Sequence, residues 1–77
     1  MTQSNVFRGD RLAAARERLN MSQEELAVLA KTNKTQISRY ENNKHRPLPH
    51  TLDALARALN VSSDWLLGRS DDPSGSG

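Results

Sequence analysis

Leu12, Ala15, Arg16 and Leu19 fall at i, i+3, i+4 and i+7, which marks one face of a helix from about Arg8 to Leu19. Asn20 and Met21 close it. Ser22-Gln23-Glu24-Glu25 then forms a capping box. The Ser22 hydroxyl accepts from the Glu25 N–H, and the Glu25 carboxylate reaches back to the Ser22 N–H. The second helix starts there, buries Leu26, Ala27, Leu29 and Ala30, and ends near Ala30 or Lys31. Asn33 is suited to cap a third helix over Lys34 to about Asn42. Its apolar content is thin, Ile37 and Tyr40 only, so most of its circumference faces something polar. The stretch Asn42–Pro49 (NNKHRPLP) reads as a loop. Leu52, Leu55, Ala56 and Leu59 repeat the spacing of the first helix and predict a fourth from about His50 to Leu59. Ser62 or Ser63 caps a short fifth through Trp65, Leu66 and Leu67, and Gly68 stops it.

The pattern is all-α: a compact five-helix bundle with no strands and one core. That core is expected to hold Leu12, Ala15, Leu19, Leu26, Ala27, Ala30, Ile37, Leu52, Leu55, Ala56, Leu59, Val61, Trp65 and Leu66. Trp65 reads as core rather than as an interface anchor. Residues 1–7 form an N-terminal arm whose Phe7 tucks against the body, and 8–68 form the domain. Residues 69–77 have no apolar side chain and read as a flexible linker or tag remnant.

Length and composition narrow the function. At 77 residues the chain holds one small domain, and with no cysteine it has neither a disulfide nor a thiolate metal site. No apolar run approaches the ~20 residues of a membrane span, and MTQSNVFRGD lacks the apolar centre of a secretory signal. A reducing, cytoplasmic setting fits both. Catalysis finds little support. His45 and His50 have no usual zinc spacing, Ser62-Ser63-Asp64 is a helix start and not a triad, and no glycine-rich phosphate loop is present. Neither metal nor cofactor is expected, and the chain does not read as an enzyme.

The formal net charge is only +2, but it is unevenly spread. Lys31, Lys34, Arg39, Lys44 and Arg46 face Glu41 alone within residues 31–46, so this stretch carries net +4. Such a focus suits a polyanion. With Ile37 turned inward, Thr35, Arg39 and Asn42 fall within ~40° of the opposite pole of the third helix, flanked by Gln36 and Ser38. Lys34 projects from the helix start. This face has no carboxylate, whereas a merely solvated helix usually mixes Glu with Lys. Arg can fork onto guanine, Gln onto adenine, and a Thr methyl can touch thymine. Gln23, in the first turn of the second helix, lies where backbone N–H groups favour a phosphate. Arg16 and Glu41 both lie on inward faces, which predicts an ion pair between the first and third helices.

SQEELA, a three-residue turn, TQISRYE and ENNK, followed by ALARALNVSSDWLLG, resemble the helix-turn-helix domain of phage repressor, Cro and XRE-type regulators. The resemblance covers about residues 8–68. It implies a lambda-repressor-like domain with the helix-turn-helix at the second and third helices. Such a domain binds double-stranded DNA site-specifically, usually as a homodimer on a palindromic operator, with the third helix in the major groove. By position it assigns base reading to Lys34, Thr35 and Arg39, aided by Gln36 and Ser38. Phosphate contacts fall to Gln23, Asn42, Lys44 and Arg46, and a structural ion pair to Arg16 and Glu41. A bacterial or phage regulator, a repressor working at the nucleoid, is implied. The chain departs from the pattern at Lys31 and Asn43, where the family commonly has glycine. Such sites often need positive φ, which Asn tolerates better than Lys. The competing reading is a protein–protein interaction module on the same scaffold, which an acidic partner would satisfy equally well.

Overall fold

Four of the five helices start where a side chain or a proline deals with the free N–H groups, and all five stop where the backbone turns left-handed. The computed structural model describes residues 7–74. Residues 1–6 of the expected arm and 75–77 of the expected tail lie outside the described residues. The order is α1 (Gly9–Arg18), α2 (Gln23–Leu29), α3 (Lys34–Glu41), α4 (Pro49–Leu59) and α5 (Ser63–Leu66). No strand occurs among the described residues.

The capping box at α2 forms as the sequence predicts: Glu25 N–H donates to Ser22 Oγ at 3.0 Å and Ser22 N–H to Glu25 Oε1 at 2.8 Å. Asn33 Oδ1 accepts from Gln36 N–H at 2.9 Å to start α3. Ser62 Oγ accepts from Trp65 N–H at 3.3 Å to start α5. Pro49 occupies the first position of α4, where its missing N–H costs nothing, so this helix begins one residue before the sequence expectation. At α1 no side chain caps the end, and Asp10 in the first turn is held by the Arg8 guanidinium at 3.0 and 2.8 Å. That hydrogen bond keeps the Asp10 carboxyl below its ordinary range.

All five helices end with one device. Asn20, Lys31, Asn43, Asn60 and Gly68 take φ between 55° and 75°. Each donates its N–H back into the last turn, and the next residue's N–H reaches the carbonyl one residue deeper. In α2, Lys31 N–H meets Val28 O at 3.2 Å and Thr32 N–H meets Ala27 O at 2.9 Å. In α3, Asn43 N–H meets Tyr40 O at 3.1 Å and Lys44 N–H meets Arg39 O at 2.8 Å. This satisfies the otherwise free last carbonyls. Lys31 is the one position of the five held by neither Gly nor Asn, and a long side chain there costs ~1–2 kcal/mol. Lys31→Gly is therefore expected to stabilise the domain by ~1 kcal/mol once glycine's greater unfolded-state freedom is subtracted. The midpoint of urea unfolding measures this, and a lower midpoint would show that the Lys31 side chain contributes more than its backbone costs.

The core runs through the middle of the bundle. Leu12, Leu26, Ile37, Leu55, Leu59 and Leu66 are fully buried, with Ala15, Ala27, Ala30, Ala56 and Val61 around them. Leu52 and Trp65 are only partly buried. Two expected buried residues are not buried: Leu29, in the last position of α2 and off the Leu26–Ala27–Ala30 stripe, is 55% exposed, and Leu19 is 45% exposed. α1 ends at Arg18, and the left-handed turn at Asn20 takes Leu19 off the helical stripe. Phe7 and Tyr40 join the core instead, ring edge to ring face at 6.4 Å.

Arg11 stacks its guanidinium over Trp65, 5.1 Å from the ring centroid, and donates to the Trp65 and Ser70 carbonyls at 2.8 Å each. Ser62 N–H donates to Pro73 O at 2.8 Å. Residues 70–73, whose composition suggests a linker, thus lie against α1 and the start of α5. No helix among the described residues is long and apolar enough to cross a membrane.

Candidate nucleic-acid interface

α3 is held by its inner face and leaves the outer one open. Ile37 and Tyr40 are its buried residues. Its single acid, Glu41, is turned inward with its side chain 8% exposed. Arg16 Nε of α1 donates to Glu41 Oε2 at 2.6 Å, and a second guanidinium nitrogen approaches Oε1 at 3.3 Å. The remaining Arg16 nitrogen donates to the Met21 carbonyl at 2.7 Å. The ion pair expected between the first and third helices is therefore present and two-pronged. Its hydrogen bonds hold the Arg16 guanidinium above its ordinary value.

Gln23 joins the same cluster: its Nε2 donates to Glu41 Oε1 at 3.0 Å. Sequence reasoning placed Gln23 toward a phosphate. In the structure its side chain is half-buried, with the carboxamide nitrogen directed at the end of α3. One hydrogen on that nitrogen and the Gln23 and Glu24 backbone N–H groups remain for a ligand, the Glu25 N–H being taken by Ser22. The cluster fastens α1, α2 and α3 together behind the open face.

With Glu41 withdrawn, the outer face of α3 carries no carboxylate. Lys34, Thr35 and Arg39 are exposed, and Gln36 and Ser38 are half-buried beside them. Asn42 is exposed and donates from Nδ2 to the Ser38 carbonyl at 2.8 Å, which draws its side chain back along the helix. Lys44 and Arg46 are exposed in the loop that follows. That loop folds back onto α3, where the Lys44 and His45 N–H groups share the Arg39 carbonyl at 2.8 and 3.4 Å. The expected base-reading and phosphate-contacting residues are thus carried by α3, its trailing loop and the start of α2.

Two residues near this face escape helical periodicity. His45 lies beyond the helix, yet its imidazole Nδ1 is 3.3 Å from Gln36 Oε1. Only the fold-back of the loop brings them together. Gly9 is the other. Its N–H donates to Asn43 Oδ1 at 3.0 Å, and it lies under the last turn of α3. The nearby cleft of Phe7, Arg46, Pro47, Pro49, Leu52 and Leu67 leaves Leu48 63% exposed at its rim.

Two capped helices joined by a tight left-handed turn, the second presenting a cationic, acid-free face, define a helix-turn-helix domain. Residues 12–66 match the helix-turn-helix family model, and the chain belongs to that family. It is 35% identical over 63 residues to the HTH-type transcriptional regulator ImmR of Bacillus subtilis, a match covering 82% of this chain and 50% of that protein. The chain thus spans about half the length of the curated relative it matches. The P22 c2 repressor, solved in complex with a synthetic operator, superposes with a TM-score of 0.78 at 32% identity, covering 90% of this chain and all of that one. SinR, a master regulator of biofilm formation solved in complex with DNA, gives a TM-score of 0.71 at 32% identity over 77% of this chain and 95% of its own. The restriction-modification controller protein C.AhdI of Aeromonas hydrophila gives 0.71 at 28% identity, over 75% of this chain and 88% of its own.

Proposed function

We infer that this chain is the DNA-binding domain of a transcriptional regulator, a repressor in the manner of the P22 c2 repressor it resembles, acting in the cytoplasm on double-stranded DNA. The observation that carries the reading is the withdrawal of Glu41 into the Arg16 ion pair, which leaves α3 a wholly neutral-or-cationic outer face. A helix of this diameter fits the major groove, and the face offers donors for base edges.

The mechanism has two layers. Gln23, Asn42, Lys44, Arg46 and the N–H groups opening α2 hold phosphates and set the register. Lys34, Thr35 and Arg39, with Gln36 and Ser38, read bases. Arg39→Ala is expected to cost ~1–3 kcal/mol of operator affinity and to relax preference at one base pair. Arg46→Ala is expected to weaken every sequence alike and to flatten the slope of log affinity against log salt by about one unit. Competition titrations with operator and random duplex at several salt concentrations separate the two. An equal loss on both duplexes for Arg39→Ala would remove it from base reading. Indifference of the unaltered protein to any duplex at low salt would turn the reading to a protein–protein interaction module.

The working form is a homodimer on a palindromic operator, with half-sites ~34 Å apart. Support comes from Leu48, 63% exposed between Pro47 and Pro49, two residues that line a cleft with Leu52 and Leu67. Sedimentation with and without a palindromic duplex tests it. A 1:1 complex at saturation would refute it.

A further inference from the structure

The loop after α3 is fastened to the helix it leaves, and the fastening ends on a residue that the function above does not use. The Lys44 and His45 N–H groups meet the Arg39 carbonyl, and the imidazole then reaches Gln36, nine residues back along the chain. Gln36 sits in the first turn of α3, its own N–H taken by Asn33 Oδ1. Its carboxamide Oε1 faces His45 Nδ1 at 3.3 Å. Among the described residues Gln36 Nε2 has no protein partner.

Resting on the DNA-binding reading, we propose that His45 is a positioning residue that sets the base preference of Gln36. Oε1 only accepts, so the pairing forms in the tautomer that carries the imidazole proton on Nδ1, directed to the carboxamide oxygen. An unrestrained glutamine amide rotates freely and offers oxygen and nitrogen together, the arrangement that matches adenine N6–H and N7. With the oxygen held toward His45, the free edge of Gln36 is its NH2 group, a donor pair. Guanine, with acceptors at both N7 and O6, suits a donor edge better than adenine does. Arg39 flanks the same turn on the helix, and Lys44 and Arg46 flank His45 in the loop. The one acid of α3, Glu41, is turned away into its ion pair, so no carboxylate competes for the imidazole N–H.

The test is selection from a randomised duplex pool, followed by competition titrations at the base pair that Gln36→Ala desensitises. His45→Ala is expected to cut guanine-over-adenine discrimination at that pair by about tenfold, equivalent to ~1.4 kcal/mol. Affinity for random duplex should stay within about twofold. In the double variant His45→Ala/Gln36→Ala the two losses should coincide instead of adding. His45→Asn places an amide N–H at the same distance from Cα as Nδ1 and should restore most of the preference. His45 is exposed, and a melting curve for each variant registers any loss of fold. Uniform weakening on all sequences, additive losses, or no rescue by asparagine would overturn the assignment. Discrimination in the unaltered protein that survives His45→Ala overturns this inference alone. Absence of discrimination in the unaltered protein at every base pair overturns the DNA-reading function with it.

Discussion

Glu41→Ala is expected to remove ~3–5 kcal/mol of folding free energy, the largest loss from any single surface-distant polar change in this domain. The cause is less the strength of the lost pair than the state in which its partner is left. The Arg16 guanidinium has a side chain only 14% exposed, and Glu41 supplies the acceptors for two of its nitrogens. Removing the carboxylate leaves that charge only the exposed Glu17 at 3.7 Å and the Met21 carbonyl, where water cannot fully solvate it. It also strands Gln23 Nε2, which donates to the same oxygen. A domain this small has a total stability of roughly 0.05–0.15 kcal/mol per residue, so the loss is a large share of the whole. Replacing both partners by apolar residues of similar volume should cost far less, because no unpaired charge remains. Chemical denaturation of Glu41→Ala beside Arg16→Met/Glu41→Leu makes the comparison. An unchanged midpoint for Glu41→Ala would show that the pair is not maintained in solution.

Gly9→Ala is expected to destabilise by about 3 kcal/mol, at the upper end of overpacking changes. A Cβ at this position would meet the Tyr40 carbonyl oxygen, with the Glu41 carbonyl oxygen at 2.6 Å and Asn43 Oδ1 at 2.9 Å. Two of the three are backbone atoms of the last α3 turn, which cannot swing aside as a long side chain would. Relief requires lifting the start of α1 from α3, which breaks the Gly9 N–H bond to Asn43 and loosens Phe7 on Tyr40. Calorimetric melting measures this, and a variant that melts with the unaltered protein would mean that the two helix ends adjust freely.

What was legible in the sequence depended on how local its cause was. The Ser22–Glu25 box and the Asn33 cap follow from spacing at one helix start, the pairing of Arg16 with Glu41 follows from the inward face each takes on its own helix, and all are found. Leu19 fails because periodicity extends a stripe past the point where the backbone turns, and only the φ of Asn20 shows that α1 has already ended. Gly9 carries no pattern at all. Its need for a bare Cα comes from a carbonyl contributed more than thirty residues later in the chain. For the open face, the wheel on Ile37 sorted Thr35 and Arg39 outward correctly. It was silent on His45, whose place is set by hydrogen bonds from a loop to a helix and not by any repeat. Gln23 shows the same limit from the other side, since proximity to free N–H groups did not reveal that Glu41 takes up one of its amide hydrogens.

The ion pair of Arg16 and Glu41 sits behind the surface offered to a duplex and not on it. Damage there thins the folded population without altering the molecules that remain folded. Such a variant behaves as a heat-conditional allele, competent when cool and silent when warmed. Because only the folded form takes up the ligand, excess operator shifts its melting upward by mass action, a recovery that no truncation of a base-contacting arginine would show to the same degree.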